Sequence, residues 1–184
     1  MNAQAPGTPD ASGVRPLLLV DLDGVINVVG RGAGSREFEA DFKRQGYRMR
    51  VPVGMGARFS RLEEMFECVW ATTWGEDAPI LGRFFKFGST WPSIFISEGG
   101  QLARTGKLSD VRRWCEANAV GRPVAWVDDD LWPDAYDWSV ARGRTLILRT
   151  LPEEGLTDEQ TDQLLAWAAA PGMGVGDREE TEGP

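Results

Sequence analysis

The sequence predicts an α/β protein with a central parallel sheet of about five strands, covered by helices on both faces. Three observations predict it. Short, continuous apolar runs read as buried parallel strands, Leu17–Asp21 (LLLVD) being the clearest. Stretches with apolar residues at helical spacing alternate with these runs. The length, 184 residues, suits one domain with a real core. Such alternation builds right-handed βαβ units. Ligands then bind at the carboxyl ends of the strands, so the residues that end strands carry the functional reading.

The elements follow in order. Residues 1–15 are rich in Ala, Gly, Pro and polar residues with no apolar run, so they read as a disordered leader and not a signal peptide. The folded unit is expected over 16–170, with 28–53 forming a small flap. After the first strand, Met55, Phe59, Leu62 and Met65/Phe66 mark a helix. Glu67–Ala71 (ECVWA) is a second strand ending at Thr72-Thr73, and Ile80–Phe87 is helical. Ser93–Ser97 (SIFIS) is a third strand. Ser109 is expected to cap a helix with Val111, Trp114, Cys115 and Ala119 on one face. Pro123–Val127 is a fourth strand, ending in Asp128-Asp129-Asp130, and Arg144–Arg149 is a fifth. The last helix runs from Thr157 to Ala170, its Thr157…Gln160 spacing fitting a capping box. Residues 171–184 are Gly-rich, then acidic, and read as a disordered tail.

Composition narrows the chemistry. The chain has no histidine, which excludes a Ser-His-Asp triad, a Cys-His pair and His-ligated zinc. The net charge of −8 argues against indiscriminate nucleic-acid binding. The two cysteines, Cys68 and Cys115, fall inside apolar patterns and read as buried free thiols in a cytoplasmic protein. No run is long enough to span a bilayer, Leu17–Val20 least of all.

The acids at strand ends form the main signal. Asp21 and Asp23 are two apart at the end of an extended strand, so they point to one side. Gly24 then permits a sharp departure of the backbone. Adjacent carboxylates repel unless a cation compensates, and a hard, oxygen-ligated ion such as Mg²⁺ is the natural one. Taken alone, Asp21-Leu22-Asp23-Gly24 also suits a cap or solvated turn. A second cluster, Asp128, Asp129 and Asp130 with Asp134 downstream, ends another buried strand. If the two strands are neighbours, these carboxylates converge on one crevice. Thr72 or Thr73 suits a phosphate oxygen, and Lys107 suits an anionic site, though both types are common elsewhere.

In this order the residues resemble the haloacid dehalogenase (HAD) superfamily of phosphohydrolases, across residues 16 to about 150. Val20-Asp21-Leu22-Asp23-Gly24-Val25 matches its first motif and Val69-Trp70-Ala71-Thr72-Thr73 its second. Lys107 matches the third, with Lys86 a weaker candidate, and Val127-Asp128-Asp129 with Asp134 matches the fourth. Ala71-Thr72-Thr73-Trp74, Trp126-Val127-Asp128-Asp129 and Gly155-Leu156-Thr157-Asp158 also look like a group of small HAD proteins of actinobacteria and their phages. The resemblance implies a Rossmann-like three-layer sandwich and a phosphatase. Asp21 would attack phosphorus and form an aspartyl-phosphate. Asp23 would act as acid, then base. Mg²⁺ would be held by the Asp21 carboxylate, the Asp23 backbone carbonyl and Asp129, with Asp128 as the alternative. Thr72 would bind a phosphate oxygen, with Thr73 the alternative and Gly24 beside the substrate. Lys107 would screen charge.

The short insert leaves room for a flap and no large cap, so the site is expected to be open. Residues 28–61 carry eight basic side chains (Arg31, Arg36, Lys43, Arg44, Arg48, Arg50, Arg58, Arg61) against Glu37, Glu39 and Asp41. That excess suits either a solvated face or a polyanionic substrate. Phe38, Phe42 and Tyr47 could stack bases or pack the flap. Trp74, Trp91 and Trp132 lie where they could line a pocket. The expected partner is a phosphorylated substrate, a small molecule or a nucleic-acid end, with no membrane and no stable partner protein. The rival readings are a nucleic-acid end phosphatase using the basic flap, a non-catalytic HAD-like binding module and a metal-dependent nuclease.

Overall fold

The computed structural model describes residues 14–29, 35–42, 45–97 and 104–170. The expected leader, up to residue 13, and the expected tail lie outside them. The chain builds a four-stranded, all-parallel sheet in the order β4-β1-β5-β6. Its strands are β1 (Leu17–Val20), β4 (Glu67–Trp70), β5 (Val124–Asp128) and β6 (Thr145–Arg149). Strands β2 (Ser35–Phe42) and β3 (Gln45–Pro52) form a separate antiparallel hairpin inside the expected flap. The helices are α1 (Met55–Met65), α2 (Ala78–Phe85), α3 (Leu108–Asn118), α4 (Pro133–Arg142) and α5 (Asp158–Ala169).

All four residues of β1 are buried, because the sheet is covered on both faces. Alternation along the strand divides them. Leu18 and Val20 pack with Phe59 and Leu62 of α1, Leu81 of α2 and Leu164 of α5. Leu17 and Leu19 pack with Val111 and Cys115 of α3 and Ala135 of α4. This is the Rossmann-like, three-layer α/β sandwich that the strand–helix alternation predicts. Each fully buried Leu or Phe contributes about 1.5–3 kcal/mol. Among the described residues no helix is long and apolar enough to cross a membrane.

Two local expectations are corrected. Ser93–Ser97, expected as the third strand, is not one, so the sheet has four strands; Ser93 alone bridges to Trp70. Trp70 is the last residue of β4, so a parallel neighbour continuing past it has nothing to pair with. Ile94 is buried and Phe95 is 78% exposed. The helix expected to be capped by Ser109 starts at Leu108, with Lys107 at the cap position and no side-chain cap bond. The Thr157–Gln160 capping box is present: the Gln160 amide donates to Thr157 Oγ1 and the Thr157 amide to Gln160 Oε1, both at 3.2 Å.

The register sets up the site. Val20 lies opposite Trp70 on one side and Val127 on the other. The Asp21 amide donates to the Val127 carbonyl at 3.0 Å, and the Ala71 amide to the Val20 carbonyl at 2.8 Å. Asp21, Thr72 and Asp128 therefore emerge at one edge of the sheet.

Candidate active site

Asp21, Asp128 and Asp129 offer carboxylate oxygens that all lie within 4.8 Å of one another. Asp21 and Asp128 are buried, and Asp129 is half-buried. Lys107 reaches in from the N-terminus of α3, its Nζ 2.6 Å from Asp21 Oδ2 and 2.8 Å from Asp128 Oδ2. The Thr72 hydroxyl, also buried, stands beside Asp21 and pulls its carboxyl down.

The electrostatics follow from that packing. Burial, then the Asp128 charge, pushes the Asp21 carboxyl up to about 7, against the pull of Lys107 and Thr72. Burial also raises Asp128, with Lys107 opposing, and raises Asp129, where the Asp21 charge adds. Burial works against the charge on Lys107, but Asp21 and Asp128 more than offset it and hold it protonated. One ammonium cannot balance three carboxylates, and bringing like charges together in a poorly solvated place is costly. An all-oxygen set of this kind fits a hard cation.

Gly24 follows the first strand's acids with φ +72°. A Cβ there would fall 2.2 Å from Asp129 Cγ, so both backbone angle and space call for glycine. The Gly24 carbonyl accepts from Thr150 Oγ1 at 2.8 Å, which fastens this turn to the end of β6.

The expected residues therefore separate. Asp21, Thr72, Lys107, Asp128 and Asp129 come together, with Gly24 against Asp129. Asp23 stands at the same turn, but its carboxylate turns to other partners. Asn27 Nδ2 and Trp74 Nε1 each donate to it at 2.7 Å. Thr73 is exposed, unlike Thr72. Lys86 is exposed at the C-terminal end of α2 and is not brought to the crevice.

Two acids of the second cluster are absent from the convergence. Asp130 accepts from Trp132 Nε1 at 2.7 Å at the surface. Asp134 accepts from the Thr105 hydroxyl at 2.7 Å and from the Thr105 amide at 3.1 Å. These bonds outweigh burial and hold its carboxyl below the usual range. Thr105 in turn accepts from the Trp132 amide at 2.9 Å. The clamp lies two residues before Lys107 and fixes where α3 begins.

The tryptophans also divide. Trp74 is half-buried and donates to Asp23 at the turn after β1. Trp91 is core, packed on Phe59 and Trp70 with its Nε1 bonded to Glu63. Trp132 is 44% exposed, with the Arg149 guanidinium over its ring. Of the basic flap, Arg50 pairs with Glu37, Arg58 with Asp158 and Arg61 with Asp162, while Arg48 is exposed. Arg31, Lys43 and Arg44, and the side chains of Arg36, Phe38, Phe42 and Tyr47, lie outside the described residues.

Asn27, Trp74, Thr105 and Thr150 are site-region residues that the sequence did not single out for these roles. Only Trp74, next to the strand-ending threonines, carried a signal that could have found it. No protein-family model and no curated protein matches this chain.

Proposed function

We propose that this chain is a Mg²⁺-dependent phosphohydrolase of the HAD type, acting on a phosphomonoester through an aspartyl-phosphate. The observation that carries the reading is Lys107 between Asp21 and Asp128, with Asp129 and Thr72 alongside, at the carboxyl ends of neighbouring parallel strands.

Asp21 is the nucleophile: a carboxylate oxygen bonds to phosphorus as the bond to the leaving oxygen breaks. Asp23 gives its proton to that oxygen, then takes one from the water that cleaves the aspartyl-phosphate, releasing phosphate and restoring Asp21. Thr72 holds a phosphoryl oxygen, and Lys107 screens the approach of phosphate to carboxylate. Asp21, the Asp23 carbonyl and Asp129 would hold Mg²⁺, with Asp128 in support; the ion supplies neutralisation of phosphoryl charge. Asp128 is already engaged by Lys107, which supports Asp129 as the freer ligand. Asp23 must leave Asn27 and Trp74, at least in part, to reach a substrate. The buried, free Cys68 and Cys115 support a reducing, cytoplasmic setting.

The test is hydrolysis of an aryl phosphate with and without Mg²⁺, comparing the natural chain with Asp21→Asn. Metal-dependent turnover lost in Asp21→Asn is expected. A folded protein that turns over no aryl phosphate, nucleotide, sugar phosphate or phosphorylated oligonucleotide sinks the reading. The oligonucleotide arm also tests the narrower end-phosphatase activity.

A further inference from the structure

A cavity of about 580 Å³ opens at the other end of the sheet, between the C-terminal ends of α3 and α4. Among the described residues, its wall carries Arg112, Arg122, Arg142 and Arg144 together with the carboxylate of Glu116, with Trp138 beside them. It borders the start of β5, whereas Asp128 ends that strand, roughly 13 Å away at about 3.3 Å per residue. It is therefore distinct from the acidic crevice.

Three of the guanidiniums, those of Arg122, Arg142 and Arg144, are held in place. Arg142 donates to the carbonyls of Ala119 and Arg122 at 2.7 and 2.8 Å and to Thr145 Oγ1 at 2.9 Å. Those bonds orient it without supplying a countercharge. Arg144 stands on left-handed backbone, φ 44°, which disfavours any side chain but glycine's, and donates to the Gly121 carbonyl. Arg122 pairs with Glu67 at 2.7 Å and leaves its buried Nε without a hydrogen-bond partner. Burial, with the Arg144 charge adding, depresses the Arg142 guanidinium from its ordinary value. Like charges fixed side by side are relieved by an anion. Trp138 is partly buried edge-on against Trp126, giving the cavity an aromatic wall. The volume falls in the range of small-molecule sites.

We propose that this cavity binds a nucleotide-like anion: a small molecule bearing a phosphate chain for the arginines and a planar ring for Trp138. The inference does not rest on the phosphatase reading. Binding here needs no metal, whereas an anion entering the acidic crevice does.

The test is calorimetric titration of the full chain with ADP and with inorganic pyrophosphate, in EDTA and low salt. Saturable ADP binding is expected, weakened at least about fivefold between 50 and 300 mM salt. Pyrophosphate should bind about tenfold more weakly, because it lacks the ring. Arg144→Gln should weaken ADP at least about fivefold. Arg112→Gln, on the exposed side of α3, should do the same with an unchanged melting temperature. Asp21→Asn and Asp129→Asn should leave ADP binding unchanged. Absence of saturation up to about 5 mM, indifference to both arginine changes, or loss of binding in Asp21→Asn would each overturn the proposal. Equal affinity for ADP and pyrophosphate would overturn its ring component.

Discussion

Gly24 and Asp129 share one space: a Cβ on the first would lie 2.2 Å from Cγ of the second. The turn after β1 can be tight only because that atom is missing, and Asp129 can approach Asp21 only because the turn is tight. Gly24→Ala should therefore cost about 1–3 kcal/mol through its left-handed backbone and push Asp129 aside. Chemical denaturation measures the first effect and Mg²⁺ titration the second. Unchanged stability and metal affinity together would refute the coupling.

Among the described residues, Lys107 is the one cation that contacts both Asp21 and Asp128. Lys107→Met leaves buried carboxylates uncompensated and should destabilise the fold by about 3–5 kcal/mol. A divalent cation should restore part of that loss. Urea unfolding with and without Mg²⁺ reads both, and a variant as stable as the natural protein in EDTA would contradict the charge balance.

Stability should depend on pH in an unusual direction. The Asp21 carboxyl rises from 3.8 to about 7 in the folded protein, and Asp128 and Asp129 rise with it. Between those pH values the folded state holds more protons than the unfolded one, so stability falls as pH rises. Without divalent cations, the protein should be more resistant to urea at pH 5 than at pH 7.5. Asp21→Asn should flatten that slope, and Mg²⁺ should too, since it favours the ionised carboxylates. A slope equally steep in Asp21→Asn would assign it elsewhere.

Asp134 and Thr105 should act as one unit. Removing either partner of their partly buried hydrogen bond should cost about 0.5–1.5 kcal/mol and loosen the approach of Lys107. In a double-mutant cycle of Asp134→Ala and Thr105→Val, the second change should add little to the first. Simple additivity would show that they do not share one bond.

The parts of this site legible in the sequence are those attached to strand ends. Asp21, Thr72, Asp128 and Asp129 follow apolar runs, and parallel register brings such ends level. Lys107 was recognisable by its place in the order of motifs, and Lys86 fell away because α2 carries it to the wrong end. Side-chain choices between neighbours were not legible. Asp134 resembled another member of the acidic cluster, yet it binds Thr105 across a separation of 29 residues. Ser109 had a capping residue's chemistry, but the helix starts where Lys107 is drawn toward two carboxylates. Ser93–Ser97 had a strand's composition, and the shortness of β4 denied it a partner. Trp91 sat in a loop-like stretch and still became core, through contacts with Phe59 and Trp70 that no local pattern announces.

The pairing of β1 with β5 makes the backbone a ruler. Asp21 and Asp128 succeed residues that face each other across the sheet, so their spacing derives from an interstrand distance of about 4.8 Å that side chains cannot freely alter. In the proposed site, an ion held by Asp21 with Asp128 in support must match that gauge. A larger ion, with oxygen distances of about 2.3–2.6 Å instead of about 2.0–2.1 Å, must be accommodated by Asp129 alone, since Asp129 leaves the sheet. Discrimination by ionic radius then belongs to the most deeply embedded strand of the protein, and the tolerance of the site to different ions belongs to one half-buried carboxylate.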